Sequence, residues 1–249
     1  MYHIKTLNSI SEVGLERFDP ANYMICGDEY CLEGILVRSA KMHDYEFPES
    51  LLAIARAGAG VNNIPLERCS EAGIAVFNTP GANANAVKEL GVCALLLGSR
   101  KIYEGITWAQ NLSKDDDVAK LVEKGKSQFV GGELYGKTLG VLGLGAIGAK
   151  VANVAIDLGM DVLGYDPYIS VDAAWRLSRK VKHEKELTSL FAGSDYISIH
   201  MPLTPDTKGI INKDTIAQMK DGVCIINCAR GELVNNDDLK TALLSGKVS

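Results

Sequence analysis

The stretch TLGVLGLGAIG, residues 138–148, is the strongest indication of the fold in this chain. A short apolar run leads into three glycines at GxGxxG spacing, and a helical pattern follows. In such a unit the first glycine permits a tight turn, the second lets a diphosphate approach the backbone, and the third lets the helix pack on the sheet. Free N–H groups at the helix start carry partial positive charge. The stretch therefore predicts a βαβ unit that binds a dinucleotide through Gly143, Gly145, Ala146, Ile147 and Gly148.

An acidic residue stands where a ribose-binding acid is expected, about 20 residues beyond the glycine motif. Asp166 directly follows the apolar run 162–165. A carboxylate there accepts hydrogen bonds from ribose hydroxyls and repels a 2′-phosphate, which favours NAD over NADP. The alternative is a structural turn without a ligand. The basic stretch 176–185 is a candidate for the neighbourhood of the adenosine, but we interpret it as a solvated helix face.

The composition is that of an ordinary globular chain. Its 249 residues suffice for two domains, and its net charge of −5 argues against a nucleic-acid partner. The N-terminus lacks a signal-peptide pattern and no apolar run is long enough for a membrane span, so we expect a cytoplasmic protein without a membrane partner. The six cysteines form no CxxC pair, which predicts no metal site and, in a reducing compartment, no disulfide.

Short β-branched runs alternate with helical patterns along the whole chain, which predicts an α/β protein with parallel sheets covered by helices. The pattern predicts strands at 4–7, 23–26, 34–37, 52–56, 74–77, 138–142, 161–165, 196–200 and 223–227. One long helix is expected over 85–112, followed by a loop or arm over 113–132. Residues 247–249 look like the start of a further strand.

Five ordered motifs resemble the D-isomer-specific 2-hydroxyacid dehydrogenase family. They are RAGAGVNNI at 56–64, NTPG at 78–81, GKTLGVLGLG at 136–145, HMPLT at 200–204 and NCARGEL at 227–233. The resemblance implies two doubly wound parallel-sheet domains. A flavodoxin-like substrate domain would occupy 1–97, and a Rossmann NAD-binding domain 98–249.

Within the family, these motifs are most similar to the phosphoglycerate dehydrogenase group. The resemblance implies NAD-dependent oxidation of 3-phosphoglycerate to 3-phosphohydroxypyruvate, a step in serine biosynthesis. Glyoxylate and hydroxypyruvate reductases share most of the motifs and remain an alternative. A second alternative is a nucleotide-sensing corepressor on the same fold, although no feature of the sequence points to a peptide-binding cleft.

Substrate contacts are expected from two segments. By resemblance, Arg230 is the active-site arginine, and a guanidinium fork is suited to bind a carboxylate and polarise the C2 oxygen. Its alternative is an ion pair with Glu232. The amides of Gly58, Ala59 and Gly60 would cup a carboxylate. Arg56 is a candidate for the distal phosphate, or for a salt bridge within its own domain.

The remaining candidates come from the same resemblance. The nicotinamide side of the cofactor would be lined by Thr79, Met201, Pro202, Cys228, Ala229 and Arg230. His200 is interpreted as a wall or hydrogen-bonding residue of the cofactor site rather than a general base. Lys88 is a candidate for substrate phosphate or proton transfer, with a solvated helix position as the alternative.

The family's catalytic histidine, in a Pro-His segment with a partner glutamate, would fall after Ser249. We therefore expect a truncated NAD-binding domain, a substrate domain without its return segment, and little activity from this chain alone. The resemblance also implies a homodimer or a higher homo-oligomer that uses region 85–132, with Ile106 and Trp108 as candidate contacts.

Overall fold

The computed structural model describes residues 1–27, 32–112 and 117–249. Two compact units, Met1–Asn83 and Ala84–Ser249, divide the chain. This division falls before the helix Ala84–Ser99, whereas the sequence-based boundary lay near that helix's end. The helix groups with the second unit because it packs there: Leu95 shares that unit's core, and a Cβ on Gly91 would lie 3.7 Å from Val151.

The first unit is a five-stranded parallel sheet with short helices. Its strands are β1 Tyr2–Leu7, β2 Tyr23–Cys26, β3 Gly34–Val37, β4 Ala53–Arg56 and β5 Ala75–Phe77, and its helices are α1 Glu12–Leu15 and α2 Leu66–Glu71. The strand order is β2-β1-β3-β4-β5, with every pairing parallel. This is the flavodoxin-like order that the family resemblance implies. Its core packs Ile35, Val37 and Ile54 against residues from the loops and α2.

The second unit contains a second five-stranded parallel sheet. Its strands are β6 Thr138–Leu142, β7 Asp161–Tyr165, β8 Lys182–His183, β9 Tyr196–Ile199 and β10 Cys224–Asn227. Its helices are α3 Ala84–Ser99, α4 Ile102–Asn111, α5 Val118–Gly125, α6 Gly148–Asp157, α7 Val171–Arg176, α8 Leu187–Gly193, α9 Lys213–Ala217 and α10 Asn236–Leu244. The order β10-β9-β6-β7-β8 matches the Rossmann arrangement, and Val248 adds a parallel bridge to Val223.

Apolar cores cover both faces of the second sheet. Alternate residues of β9 point to opposite faces, so Ile197 and Ile199 join one core while Tyr196 joins the other. Helices α3 and α6 lie on the face of Tyr196. The predicted α/β class with two parallel sheets is confirmed. All nine predicted strands agree with the structure to within two residues, whereas β8 was not predicted.

The long helix expected over 85–112 is wrong, because the chain breaks between α3 and α4. The carbonyl of Ser99 accepts a hydrogen bond from the Gly132 N–H at 2.9 Å, a contact that replaces helical pairing. Lys101 then leaves the helical region, with φ −73° and ψ 53°. The expected loop over 113–132 contains α5 and a 3-10 turn at Lys126–Phe129, although residues 113–116 lie outside the described part.

The basic stretch 176–185 is not one helix face. Arg176 ends α7, and Lys182 belongs to β8, which pairs with β7 at the sheet edge. Both side chains are exposed, so the expected solvation holds while the expected helix does not.

Candidate active site

The carboxyl edge of the second sheet brings the predicted cofactor residues together. The strand order reverses between β6 and β9, and ligands of open α/β sheets bind in the crevice outside such a switch point. Gly143 follows β6 and His200 follows β9. The Gly143 N–H donates to the Tyr165 carbonyl at 2.8 Å, and the His200 N–H donates to the Leu142 carbonyl at 2.7 Å.

The three motif glycines are required for three different reasons. Gly143 has φ 87°, and a Cβ there would lie 2.9 Å from the backbone of His200 and Met201. A Cβ on Gly148 would overlap the Gly143 carbonyl oxygen. A Cβ on Gly145 would meet no protein atom within 4 Å, so this glycine faces open space. Protein packing therefore explains two of the glycines, whereas the third fits a ligand that approaches the backbone.

The start of α6 offers unpartnered donors to that open space. Within the part of the chain that the structure describes, the N–H groups of Gly145, Ala146 and Ile147 donate to no protein acceptor. Amides at a helix start bind phosphate oxygens through hydrogen bonds and the helix dipole. This loop fits the diphosphate of a dinucleotide.

Asp166 joins the end of β7 to the glycine loop. Its Oδ2 accepts from the Leu144 N–H at 2.8 Å, and its Oδ1 accepts from the Tyr168 N–H at 2.9 Å. The carboxylate thus has a structural role in the turn. It is half-buried and an ionised carboxylate has about four acceptor sites, so it retains capacity for ribose hydroxyls.

The end of β9 places His200 beside the glycine loop. Ser198 Oγ lies 2.8 Å from His200 Nε2. Burial lowers the pKa of the His200 imidazole to about 4, so the ring is neutral near pH 7. Met201 is buried under the edge, and Pro202 is exposed.

The turn after β10 presents Arg230. Asn227 shapes this turn: its Oδ1 accepts from the Ala229 N–H at 2.9 Å, and its Nδ2 donates to the Arg230 carbonyl at 2.8 Å. Arg230 Nη1 donates to the Ala229 carbonyl at 3.0 Å, and no ion pair with Glu232 exists among the described side chains. Burial raises the pKa of the Cys228 thiol, so this side chain stays a neutral thiol near pH 7.

In the first unit, the loops after β4 and β5 pack together. Arg56 Nε donates to the Arg38 carbonyl at 3.0 Å, and its Nη1 donates to the Gly60 carbonyl. These contacts with backbone carbonyls hold Arg56 against the loop after β4. The Thr79 N–H donates to the Gly58 carbonyl at 3.0 Å, and Asn78 Nδ2 donates to the Ala59 carbonyl at 2.7 Å.

The same loop leaves amides available. Within residues 1–27 and 32–83, the N–H groups of Ala59 and Gly60 have no protein acceptor, while the Gly58 N–H donates to the Arg56 carbonyl at 2.9 Å. Thr79 Oγ1 lies 3.4 Å from the Arg56 carbonyl. These N–H groups are suited to bind an anionic group at the carboxyl edge of the first sheet.

Lys88 lies on α3 of the second unit with its side chain 20% exposed. Its Nζ is 3.7 Å from Glu89 Oε1, which also accepts from Asn85 Nδ2 at 2.7 Å. The Lys88 side chain is thus largely shielded from solvent, and its role in phosphate binding or proton transfer stays a prediction.

Sequence reasoning missed three polar side chains that support the site. Asn78 and Asn227 lie within quoted motifs but were not assigned roles, although their hydrogen bonds hold the two loops. Ser198 lies in an apolar strand and had no sequence signal beyond its polarity. Among the described residues no His, Cys, Asp and Glu cluster could hold a metal, and no helix is long and apolar enough to cross a membrane.

Known proteins share this fold and these motifs. The family model of the D-isomer specific 2-hydroxyacid dehydrogenase NAD binding domain matches residues 93–249. The D-3-phosphoglycerate dehydrogenase of Methanocaldococcus jannaschii is 40% identical over 203 residues, which cover 82% of this chain and 36% of that protein. The hydroxypyruvate reductase of Thermotoga maritima is 41% identical over 217 residues, covering 86% and 66%.

A solved structure has a similar fold. The NAD⁺-bound 3-phosphoglycerate dehydrogenase of Entamoeba histolytica is 28% identical with a TM-score of 0.77, and the match covers 99% of this chain and 78% of that one. The chain therefore spans roughly a third to two thirds of the curated relatives given above, 36% and 66% of their lengths.

The fold and the glycine loop define a Rossmann domain that binds a dinucleotide. The chain belongs to the D-isomer specific 2-hydroxyacid dehydrogenase family. The expected family is thus confirmed, and so is the expected cofactor, NAD.

Proposed function

We propose that the protein is an NAD-dependent dehydrogenase that oxidises 3-phosphoglycerate to 3-phosphohydroxypyruvate, a step in serine biosynthesis. The main support for this function is the set of groups at the carboxyl edge of the second sheet. Unpartnered amides of the glycine loop, Asp166 and the arginine-bearing turn after β10 all lie at that edge. Relatives named D-3-phosphoglycerate dehydrogenase support the choice of substrate.

Each residue at this edge has a distinct proposed role. The loop amides bind the diphosphate, and Asp166 accepts hydrogen bonds from the adenosine ribose. NAD, when bound, supplies the hydride acceptor. Arg230 binds the substrate carboxylate and polarises the C2 oxygen, because a guanidinium presents parallel donors to both groups. Met201 and the segment 228–229 line the nicotinamide side, with Pro202 at the rim.

In the first unit we propose an anion-binding role for the loop after β4. The free amides of Ala59 and Gly60 are donors for a carboxylate, and Arg56 adds positive charge while holding the loop through its carbonyl contacts. A phosphorylated acid carries more negative charge than an acid without phosphate, so it suits such a loop better. The Thr79 N–H, which donates to the Gly58 carbonyl, helps to hold this loop.

A substrate panel tests the function. We expect NADH production with 3-phosphoglycerate to exceed that with D-lactate or D-glycerate by at least about tenfold in kcat/KM, since the phosphate adds charge-assisted hydrogen bonds of about 1.5–3 kcal/mol each. The assay uses the 249-residue chain and any longer product of its gene. Equal rates with D-glycerate would instead favour a hydroxypyruvate reductase, the activity named for the Thermotoga relative.

We also infer a cytoplasmic homodimer formed through α4 and α5. The cysteines Cys69, Cys93, Cys224 and Cys228 are free thiols, which suits a reducing compartment. Tyr103 and Ile106 on α4 are 73% and 53% exposed, and Leu121 on α5 is also exposed. Trp108 instead packs within the unit, 5.1 Å from Phe129 between ring centroids.

Sedimentation velocity tests the dimer. We expect Ile106→Glu to shift the protein from dimer to monomer, because a carboxylate would be desolvated in an apolar contact. Val171→Glu on α7 is the matched control, since Val171 is 73% exposed in the same unit, and it should leave the dimer intact. A wild-type chain that sediments as a monomer at tens of micromolar would contradict the inference.

A further inference from the structure

Ser198 is a buried hydroxyl in an otherwise apolar row. In the sheet register its partners are Val141 on β6 and Ile226 on β10, and both belong to the same core. Ser198 is 1% exposed. An aliphatic residue would suit this row, and burying a hydroxyl is unfavourable unless it forms a hydrogen bond. The Ser198 hydroxyl therefore needs a hydrogen-bond partner.

The partner of this hydroxyl is His200. Ser198 Oγ lies 2.8 Å from His200 Nε2, and no other partner of the hydroxyl is found in the described parts of the chain. The two residues are separated by one position, so both side chains point to the same side of β9. The pair therefore connects the core to the carboxyl edge of the sheet.

The number of protons fixes the direction of this hydrogen bond. If the hydroxyl donates to Nε2, its proton is satisfied and the imidazole carries its own proton on Nδ1. If Nε2–H donates instead, the buried hydroxyl proton has no acceptor, which costs about 1–3 kcal/mol. The structure thus favours the tautomer with Nδ1–H.

The second ring nitrogen of His200, Nδ1, is available for a hydrogen bond. It has no protein partner, and Asn63 Oδ1 is the sole fully buried side-chain atom lacking a partner among the described residues. Nδ1 therefore is not fully buried. The backbone of His200 lies against Gly143, the first glycine of the diphosphate loop.

We propose that Ser198 is a positioning residue that holds His200 in the Nδ1–H tautomer, so that the ring donates a hydrogen bond to an oxygen of the bound dinucleotide. The second part rests on the proposed NAD-dependent function; the first part does not. Burial lowers the pKa of His200 to about 4, which agrees with a neutral donor at physiological pH.

Nitrogen NMR of the ¹⁵N-labelled chain, without ligand, tests the tautomer directly. We expect His200 Nδ1 to show a protonated, pyrrole-type shift and Nε2 an unprotonated, pyridine-type shift at pH 7. The opposite assignment in the wild-type chain would overturn the positioning role without any variant being needed.

An isosteric pair of variants then isolates the hydroxyl. Ser198→Thr keeps the hydroxyl and should preserve the tautomer. Valine has the shape of threonine but lacks the hydroxyl, so Ser198→Val should release the His200 ring to a mixture of tautomers. Ser194→Ala is the matched control. Ser194 is also fully buried, but its Oγ donates to the Leu190 carbonyl at 2.6 Å, so its loss should not change the His200 spectrum.

NADH affinity, measured by calorimetry, tests the donor role. We expect Ser198→Val to weaken NADH binding about tenfold relative to Ser198→Thr, the size of one hydrogen bond. Equal affinities, with the tautomer changed, would overturn the donor role while leaving the positioning role intact. If no form of the chain binds NADH, the proposed function fails, and the unliganded spectra still decide the role of Ser198.

Discussion

Gly145→Val is expected to leave the fold intact and to weaken NADH binding about 100-fold, or about 2.7 kcal/mol. A side chain at this position meets no protein atom within 4 Å, and its φ lies outside the left-handed region, so the folded chain should tolerate it. The new side chain would occupy the space in which the diphosphate reaches the loop amides. Each charge-assisted hydrogen bond lost there costs about 1.5–3 kcal/mol.

Calorimetry with NADH and thermal unfolding measure the two effects separately. Gly132→Val is the matched control, because a Cβ on Gly132 also meets no atom within 4 Å and Gly132 is outside the loop. It should change neither the Tm nor the affinity for NADH. Gly148→Ala should behave in the opposite way and lower the Tm, since its Cβ overlaps the Gly143 carbonyl. Wild-type affinity in Gly145→Val would show that the diphosphate does not approach this glycine.

In the form of the protein that turns over 3-phosphoglycerate in the substrate panel, Arg230→Gln should lower kcat/KM about 1000-fold, or about 4 kcal/mol, while the affinity for NADH changes less than about threefold. The glutamine removes the charge and the fork that binds the carboxylate and polarises the C2 oxygen. Arg230→Lys keeps the charge without the fork, so it should recover only part of the loss.

A binding measurement complements the kinetic one. Calorimetry of 3-phosphoglycerate added to the NADH-loaded chain should give about 100-fold weaker binding for Arg230→Gln, since removal of one partner of a charged pair costs about 2–5 kcal/mol. Arg17→Gln changes an exposed arginine of the first unit and serves as the control. Unchanged kinetics and unchanged substrate binding in Arg230→Gln would remove this arginine from the site.

Local sequence was sufficient for the parts of the site that depend on backbone sterics. Gly143 and Gly148 sit where a side chain would collide with the backbone, and such positions show in the sequence as fixed glycine spacing. The place of Asp166 follows from the length of one βαβ unit. Strand positions could likewise be read from short apolar runs, because each run is buried in a parallel sheet.

The supporting contacts could not be predicted because they join residues far apart in sequence. Ser99 ends its helix by accepting from Gly132, and Arg56 donates to the carbonyl of Arg38. Both contacts depend on the positions of the loops, which the local sequence does not specify.

Short motifs were enough to identify the family and the glycine loop that fits NAD, and periodicity was enough to locate the strands, since both depend on residues adjacent in the chain. Only the tertiary structure decided which hydrogen bonds hold the loops and which tautomer His200 adopts. Those outcomes depend on the packing of side chains from different strands: Ser198 needs a partner because Val141 and Ile226 enclose it.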